Sequence, residues 1–229
     1  MNPLGLSIIT PVFKSEMTIL RALQSVSTAW SAADTDMTIP CEHILVLDGP
    51  DVESESIAEF FRPDSSIPLR IVHKAHSGVA ASRNVGIGLA QYSHVTFLDA
   101  DDEITADRLA HASRFLPNAL IGLQSVVYDT KSRPPIGTRA QGLTGVQPNR
   151  YLMSLVAPTS TILELGGFRE ELKLGEDLDL VVRLRKLGVS IDFVSSIFTI
   201  RHVTGRNISL DYEGTKSAIF SLLRRFRNQ

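Results

Sequence analysis

Short apolar segments alternate with helix-like segments over the first hundred residues. Four segments rich in aliphatic and β-branched residues have the length and composition of buried strands: 6–13, 43–48, 69–74 and 94–99. Three segments between them have the apolar spacing or the small-residue content of helices: 19–26, 54–61 and 78–92. This alternation predicts βαβ units and therefore an α/β fold in three layers, with a mostly parallel central sheet. Ligands of such sheets bind beyond the carboxyl ends of the strands, so Asp48 and Asp99, which each end a strand, are expected to face one crevice.

The second half of the chain has a less regular pattern. Residues 129–150 are rich in proline, glycine and charge, and they predict a long loop. The elements expected beyond it are a short β-like segment at Thr159–Leu163, a turn at Gly166 and Gly167, a helix from Glu176 to Leu187, strands at 191–194 and 198–203, and a final helix that carries Ile219, Leu222, Leu223 and Phe226. No internal repeat or domain boundary is visible in the sequence, so we predict a single domain over residues 1–229.

Composition and charge narrow the class of protein. The 229 residues are 43% apolar and 21% charged, which is ordinary for a globular protein. The net charge of −2 gives no bulk attraction to nucleic acid, and no nucleic-acid partner is expected. The single cysteine, Cys41, fits a reducing compartment. Because the sequence has neither a signal-like start nor an apolar run of about 20 residues, we expect a cytoplasmic protein.

The segment FLDADDE at 97–103 gathers carboxylates at the end of an apolar strand. A D-x-D at such a position can direct two carboxylates to one point, and oxygen ligands suit hard divalent cations. The alternative is that Asp101 or Asp102 caps the helix expected to begin near Thr105. Glu103 is interpreted as a solvated neighbour. The strand-end position and the second strand-end acid, Asp48, favour the metal site.

A second acidic cluster opens the helix EDLDLVVRLRKLG at 176–188. Its apolar stripe consists of Leu180, Val181, Leu184 and Leu187. Asp177 falls on this stripe by helical spacing, where burial would raise its pKa and suit a general base. Asp179 points elsewhere and has Arg183 at i+4, which predicts a surface ion pair. The alternative for Glu176 and Asp177 is favourable charge at a helix N-terminus.

Three further residues are weaker candidates when each is taken alone. Arg83, near the start of a helix rich in small residues, could bind a phosphate or a base edge. Phe13 could stack on a ring, beyond Pro11, which is expected to interrupt strand pairing. His202 could be a metal ligand. The alternatives are a surface arginine, core packing and a structural histidine.

Taken together, these segments resemble the family 2 glycosyltransferases, which have the GT-A fold. The resemblance runs in the expected order over about residues 5–210. LSIITPVFKSE resembles the first-strand motif, LVLDGPDVES the nucleotide motif of the second strand, HSGVAASRNVGIGLA the N-x-G-x-x-x-A-R-N-x-G helix, VTFLDADDE the metal-binding D-x-D, and APTSTILELGGFREELKLGEDLDLVVRL the acceptor-side segment that ends in Glu-Asp.

The resemblance implies an inverting, hexosyltransferase-like enzyme that uses Mn2+ or Mg2+. It would move a sugar from a nucleoside-diphosphate sugar, a UDP-sugar foremost, to a hydroxyl of a carbohydrate or lipid-linked acceptor in cell-surface glycan biosynthesis. Residues 1–103 would form the nucleotide-binding half, residues 104–210 the acceptor-binding half and residues 211–229 a C-terminal amphipathic helix.

The resemblance also implies residue roles. The nucleotide-side positions would be Thr10, Pro11, Phe13, Glu16, Asp48, Arg83, Asp99 and Ala100, with Asp48 on the base and Arg83 on the nucleotide. Asp101 would ligate the metal, with Asp99 and His202 as further ligands. Asp177 would be the general base, supported by Glu176. Phe13 and Lys14 replace the usual Tyr and Asn, and His76 stands where Asn is common, so these departures affect base identity most.

Two competing functions and one open interpretation remain. A sugar nucleotidyltransferase would normally have a glycine-rich loop after the first strand, and TPVFKSE has no glycine. A non-catalytic nucleotide-sugar-binding protein would not need both Asp101 and Asp177. The apolar and basic residues over 216–227 fit a helix on a membrane surface, which would place the protein at the inner face of the membrane, or a helix packed on the domain or on a second subunit in a homodimer.

Overall fold

The computed structural model describes residues 2–33, 39–115, 119–128, 145–148 and 154–203, together with residues 220 and 224. The strands are β1 Leu6–Val12, β2 Cys41–Asp48, β3 Leu69–Lys74, β4 His94–Phe97, β5 Glu103–Ile104, β6 Ala119–Tyr128, β7 Gly145–Pro148, β8 Leu155–Pro158 and β9 Ile191–Val203. The α-helices are α1 Ile19–Ala32, α2 Val52–Phe61, α3 Val79–Leu89, α4 Ala106–Phe115, α5 Thr159–Glu164 and α6 Glu176–Lys186. None of the described helices combines the length and apolar character that a bilayer crossing requires.

The first half of the sheet is parallel and has the order β3-β2-β1-β4. The predicted strands and helices of this half are confirmed, and every residue of β1 and β2 is buried, as their continuous apolar runs require. Beyond β4 the order continues β8-β6-β9-β5, with mixed directions, and β7 pairs with β6. The carboxyl ends of β1, β2 and β4 therefore meet at one edge of the sheet.

Alternating side chains of β1 separate the two outer layers. Ile8 packs with residues of α1 and α4, whereas the adjacent Ile9 packs with residues of α3 and α6. This follows from the two-residue period of a strand, which sends neighbouring side chains to opposite faces. The result is the predicted three-layer arrangement, in which helices cover both faces of the central strands.

The predicted interruption of strand pairing at Pro11 occurs on one side only, because one of the two neighbouring ladders continues past it. β1 remains paired with β2 through Val12, whereas its register with β4 ends at Ile9. Gly5 and Ile9 both accept hydrogen bonds from the β4 side, so alternation turns the backbone of Pro11 to the same side. Its missing N–H thus falls beyond the last bond to β4 and costs no ladder bond.

The second half differs from the prediction at three places. The prediction of a β-like segment at Thr159–Leu163 is wrong. Those residues lie in helix α5, and the strand is β8, immediately before it. Burial of Ile162 against α3 outweighs the strand propensity of this segment. The two short strands at 191–194 and 198–203 are one continuous strand, β9. Within the predicted loop, residues 145–148 form strand β7.

The expected C-terminal helix lies almost wholly outside the described residues. Residues 220 and 224 are helical, and the other residues from 204 to 229 are not described.

Candidate functional site

The acidic turn after β4 lies at the carboxyl edge of the parallel strands. Leu98 donates its N–H to the carbonyl of Ile9, which extends β4 toward the turn, and Asp102 donates its N–H to the carbonyl of Asp99, which closes it. One carboxylate oxygen from each of Asp99, Asp101 and Asp102 lies within 4.8 Å of the others. The close approach of three like charges is unfavourable unless a cation is near.

Asp102 is the most deeply buried acid of this turn. It is 1% exposed, and its Oδ1 accepts a hydrogen bond of 2.9 Å from the backbone N–H of His202. Its Oδ2 is buried without a hydrogen-bond partner among the described residues. Burial, with Asp99 and Asp101 nearby, raises the pKa of Asp102 well above its usual range. An all-carboxylate set with one unsatisfied buried oxygen fits a hard divalent cation such as Mn2+ or Mg2+.

Asp101 is half-buried beside the same turn. Burial and the charge of Asp99 raise the pKa of its carboxyl group to about 6. Its backbone carbonyl accepts a hydrogen bond of 2.5 Å from Nη2 of Arg21, on α1. This hydrogen bond fixes the backbone of Asp101. The conformation of the turn therefore sets the direction of its side chain.

Arg83 connects the two acidic clusters. This buried side chain donates from Nη2 to Oδ1 of Asp99 and from Nη1 to Oε1 of Glu176, each at 2.8 Å. Burial opposes the charged guanidinium, but Asp99 and Glu176 more than offset it and raise the pKa of Arg83. The β4 turn and the start of α6, 77 residues apart in sequence by these contacts (99 to 176), are therefore one site.

Glu176 and Asp177 form the first turn of α6. Gly175 precedes them with φ 82°, a left-handed conformation that suits glycine. Burial raises the pKa of both carboxyl groups, and the positive charge of Arg83 opposes the rise in each. Asp177 is half-buried, and its Oδ1 accepts a hydrogen bond of 2.7 Å from the N–H of Leu178. A half-buried carboxylate of raised pKa has the properties that a general base needs.

For Asp179, the predicted ion pair with Arg183 is confirmed, whereas its predicted surface position is wrong. It does pair with Arg183 at 2.7 Å, but it is 0% exposed rather than on the surface. Arg169, from the segment before α6, approaches its other oxygen at 3.1 Å. The i+4 spacing identified the pair, whereas its burial depends on Arg169, which no local pattern indicates.

Arg183 and Asn84 fix the turn that precedes α6. Arg183 donates to the carbonyl groups of Leu165 and Gly167, at 2.9 and 2.8 Å. Asn84 of α3 both accepts from the N–H of Phe168 and donates to its carbonyl group. Gly167 has φ 71°, and a Cβ there would lie 2.5 Å from Oδ1 of Asn84. The Gly-Gly turn predicted from the sequence is thus a tight joint between α3 and α6.

We predict that Asp179→Asn lowers the free energy of unfolding by about 1.5–3 kcal/mol, the usual worth of hydrogen bonds to a charged group. The amide keeps the shape but no longer compensates the two guanidinium groups. Urea unfolding would measure the change, with Asp64→Asn, at an exposed position, as the matched control. Equal stability of the two variants would contradict a structural role for Asp179.

Both carboxylate oxygens of Asp48 accept hydrogen bonds from the segment that leads into α3. Its Oδ1 accepts from Nζ of Lys74 at 2.5 Å and from the N–H of Ser77 at 2.9 Å, and its Oδ2 accepts from the N–H of Gly78 at 2.8 Å. Burial opposes ionisation, but these hydrogen bonds and the charge of Lys74 lower the pKa of Asp48. Asp48 joins the end of β2 to the start of α3, and its predicted contact with a base stays a prediction.

The other nucleotide-side positions divide into buried and exposed residues. Thr10, Pro11 and Ala100 are buried, and Oγ1 of Thr10 is 2.8 Å from Nε2 of His43 inside the sheet. Glu16 is half-buried. Phe13 is 44% exposed and stacks on the ring of His76, with ring centroids 4.3 Å apart. The exposure of Phe13 excludes the core-packing alternative, and its stacking on a base stays a prediction.

His202 lies beside the acidic turn but is engaged with a different residue. Its Nε2 is 2.5 Å from Oε1 of Glu103. The interpretation of Glu103 as a solvated neighbour is wrong. Its backbone pairs with β9, and its Oε1 lies 3.8 Å from Nε of Arg21. The role of His202 as a metal ligand stays a prediction.

Sequence reasoning missed two features of the site. Arg108, on α4, is fully buried beneath the turn, and Phe168 lies with its ring 5.4 Å from the guanidinium of Arg83. No local pattern in the sequence indicates Arg108, because its acceptors lie on β4 and, 90 residues further along the chain, on β9.

Comparison with known proteins places this arrangement in context. The sequence pattern described as Glycosyl transferase family 2 matches residues 7–148. The chain is similar to the uncharacterized glycosyltransferase YibD of Escherichia coli K12, at 31% identity over 100 residues, which cover 43% of this chain and 26% of YibD. It is also similar to the uncharacterized glycosyltransferase EpsJ of Bacillus subtilis 168, at 32% identity over 101 residues, which cover 44% of this chain and 27% of EpsJ. The matches span about a quarter of the length of these curated relatives.

Solved structures share the fold at low sequence identity. TarS of S. aureus in complex with UDP-GlcNAc has a TM-score of 0.69 and 19% identity, over 96% of this chain and 65% of that one. The mannosyltransferase PcManGT of Pyrobaculum calidifontis, in complex with GDP-Man and Mn2+, has a TM-score of 0.68 and 14% identity, over 99% of this chain and 65% of that one. The GT-A fold predicted from the sequence is thereby confirmed.

Proposed function

Because this chain belongs to glycosyl transferase family 2, we propose that it transfers a sugar from a nucleoside-diphosphate sugar to a hydroxyl acceptor, with inversion at the anomeric carbon. The bridge that Arg83 makes between Asp99 and Glu176 carries this proposal. It joins a carboxylate turn suited to a metal and a diphosphate to a helix start suited to a general base. The residues that would bind the donor and those that would act on the acceptor are thus adjacent in one site.

On the donor side, this chain supplies carboxylates, a cation and an aromatic ring. Asp101, with Asp99 and Asp102, would hold Mn2+ or Mg2+, and Arg83 would sit at the diphosphate. When bound, the divalent cation neutralises charge that develops on the leaving diphosphate. Phe13 would stack on the base.

On the acceptor side, Asp177 would accept the proton of the attacking hydroxyl. Its raised pKa makes it a stronger base than an ordinary aspartate, while Arg83 keeps it ionisable. Glu176, held by Arg83, would orient the acceptor or the base. One base and one displacement lead to inversion, and fixing both substrates in place supplies much of the remaining rate.

The donor and acceptor classes are part of the same proposal. We favour a UDP-sugar, since TarS binds UDP and UDP-GlcNAc, although PcManGT binds GDP-Man and makes a guanosine donor the comparison to test. The acceptor would be a carbohydrate or lipid-linked hydroxyl in cell-surface glycan synthesis, reached from the cytoplasmic side. We also propose that residues 216–227 contact the membrane surface. A homodimer is a further part of this proposal.

The test is a panel of nucleotide sugars with Mn2+, assayed by thermal shift and by release of free nucleoside diphosphate. Binding to the native state raises its stability, so a UDP-sugar with Mn2+ is expected to raise Tm and to be consumed. Full activity after removal of all divalent cations with EDTA would contradict the metal-dependent part. Absence of both binding and turnover with every donor would contradict the proposal as a whole.

Asp101→Asn is predicted to stabilise the metal-free protein at pH 7 and to abolish the stabilisation by Mn2+. The folded pKa of about 6 is above the unfolded value of 3.8, so ionisation of Asp101 costs native stability as pH rises between these values. Neutralising it therefore raises Tm at pH 7, by up to about 6–12 °C for a linkage of about 3 kcal/mol, and has no effect at pH 3. Scanning calorimetry at both pH values, with and without Mn2+, measures this. A lower metal-free Tm at pH 7 would contradict the sign.

A further inference from the structure

Arg108 is a buried cation that the proposed reaction does not use. It lies in the first turn of α4 and is the largest of the fully buried side chains among the described residues. Its guanidinium donates to two strands at once. On β4 it reaches the carbonyl of Phe97 at 2.9 Å and Oγ1 of Thr96 at 3.3 Å. On β9 it reaches the carbonyl of Phe198 at 3.1 Å and also Oγ1 of Thr199.

Both strands contact the acidic turn: β4 leads into it, and β9 donates a hydrogen bond to it. Phe97 is the last residue of β4, and Asp99 follows two residues later. Thr199 precedes His202 by three residues on β9, and the N–H of His202 holds Oδ1 of Asp102. The spacing between β4 and β9 at the level of Arg108 therefore determines where the carboxylates of Asp99 and Asp102 lie relative to each other.

The fold alone does not call for a guanidinium at this position. Burying a cation is costly unless hydrogen bonds and opposite charges compensate it, and an apolar side chain would fill the space at lower cost. Burial indeed lowers the pKa of Arg108 to about 9, and Asp102 and Asp99 are the charges that oppose this fall. The planar fork of arginine can reach acceptors on two strands together, which a lysine ammonium cannot do from one point.

We propose that Arg108 is a positioning residue for the divalent cation: by bridging β4 and β9 beneath the turn, it holds Asp99, Asp101 and Asp102 at the spacing that binds the metal. The inference rests on the proposed function, because it assumes that this turn binds a divalent cation. Arg108 itself touches neither the donor nor the acceptor.

The test measures Mn2+ affinity directly, by electron paramagnetic resonance of free Mn2+ during titration of the full chain. Arg108→Met removes the charge and the bridge, and Arg108→Lys keeps the charge but not the two-strand bridge. Both are expected to raise the Kd for Mn2+ about tenfold or more, as changes to residues that support metal ligands do. Thr199→Val, a mild change that removes one acceptor, is expected to raise the Kd in the same direction.

The matched control is Glu42→Gln, another buried charged residue, at the opposite end of the sheet, where it accepts from Ser7 and from the N–H of Gln91. We expect it to lower Tm without changing the Kd for Mn2+, which separates positioning from general destabilisation. A parent-level Kd in folded Arg108→Lys overturns the inference, and where neither Arg108 variant folds, a parent-level Kd in Thr199→Val overturns it. If the parent chain binds no Mn2+, the metal-dependent part of the proposed function fails instead.

Discussion

Replacing Asp177 by asparagine is expected to lower kcat for sugar transfer by about 10²–10⁴-fold, the range that a positioned general base contributes. The amide has the shape of the carboxyl group and can still accept the hydrogen bond from Leu178, but it cannot take a proton from the acceptor hydroxyl. Donor affinity is expected to stay unchanged, because Asp177 is not part of the metal cluster. Release of nucleoside diphosphate in the presence of acceptor measures kcat, and thermal shift with donor and Mn2+ measures binding.

Two comparisons make this prediction sharp. Glu164→Gln, at an exposed position on α5, is the control and should retain parent activity. Glu176→Gln tests the neighbouring carboxylate, whose tie to Arg83 gives it an orienting role. An Asp177→Asn variant with full kcat, beside an inactive Glu176→Gln variant, would transfer the role of base from Asp177 to Glu176.

The strands of the parallel half and the location of the site could be predicted because they depend on local patterns. The strands of the parallel half are buried on both faces, so their apolar runs are visible in the sequence without knowledge of their partners. A parallel sheet then places the ends of β2 and β4 at one edge, which brings Asp48 and Asp99 to the same side. The predicted link between the D-x-D turn and the start of α6 required the family resemblance, and the contacts of Arg83 supply its physical form.

The burial of charged residues could not be predicted in the same way. Arg183 at i+4 predicts a surface ion pair for Asp179, and Glu103 is expected to be solvated, yet Arg169 contacts Asp179 and strand β9 pairs with Glu103. Arg108 was not noticed for the same reason, since its acceptors on β9 are 90 or more residues away. The burial of a charged side chain depends on partners that only the fold brings near. A buried strand, in contrast, is recognisable from its own apolar composition.

Asp48 shows that a correctly located residue can also have a local structural role that the sequence does not indicate. Its place at the end of β2 follows from the sequence, but its three hydrogen-bond donors come from 74–78, around the start of α3. The contact of Asp48 with a base stays a prediction, and the exposed stack of Phe13 on His76 is a second position at which base preference can be tested.

Replacing Arg83 by methionine is expected to abolish transfer and to lower the free energy of unfolding by about 3–5 kcal/mol, the cost of breaking a buried ion pair from one side. Its removal leaves Asp99 and Glu176 without their shared cation, near the already crowded Asp101, Asp102 and Asp177. Urea unfolding at pH 7 measures the loss of stability, and nucleoside diphosphate release measures the loss of activity.

The double variant Arg83→Met with Glu176→Gln separates charge compensation from catalysis. Because it removes one of the two uncompensated carboxylates, it should recover part of the lost stability, so that the two substitutions are not additive. It should remain inactive, since the diphosphate still lacks its cation. Arg83→Lys should fall between the parent and Arg83→Met in stability, because one ammonium cannot match both ends of the guanidinium fork. Additive losses in the double variant would contradict the bridge between the two acidic clusters, and with it the reason for placing donor and acceptor chemistry in one site.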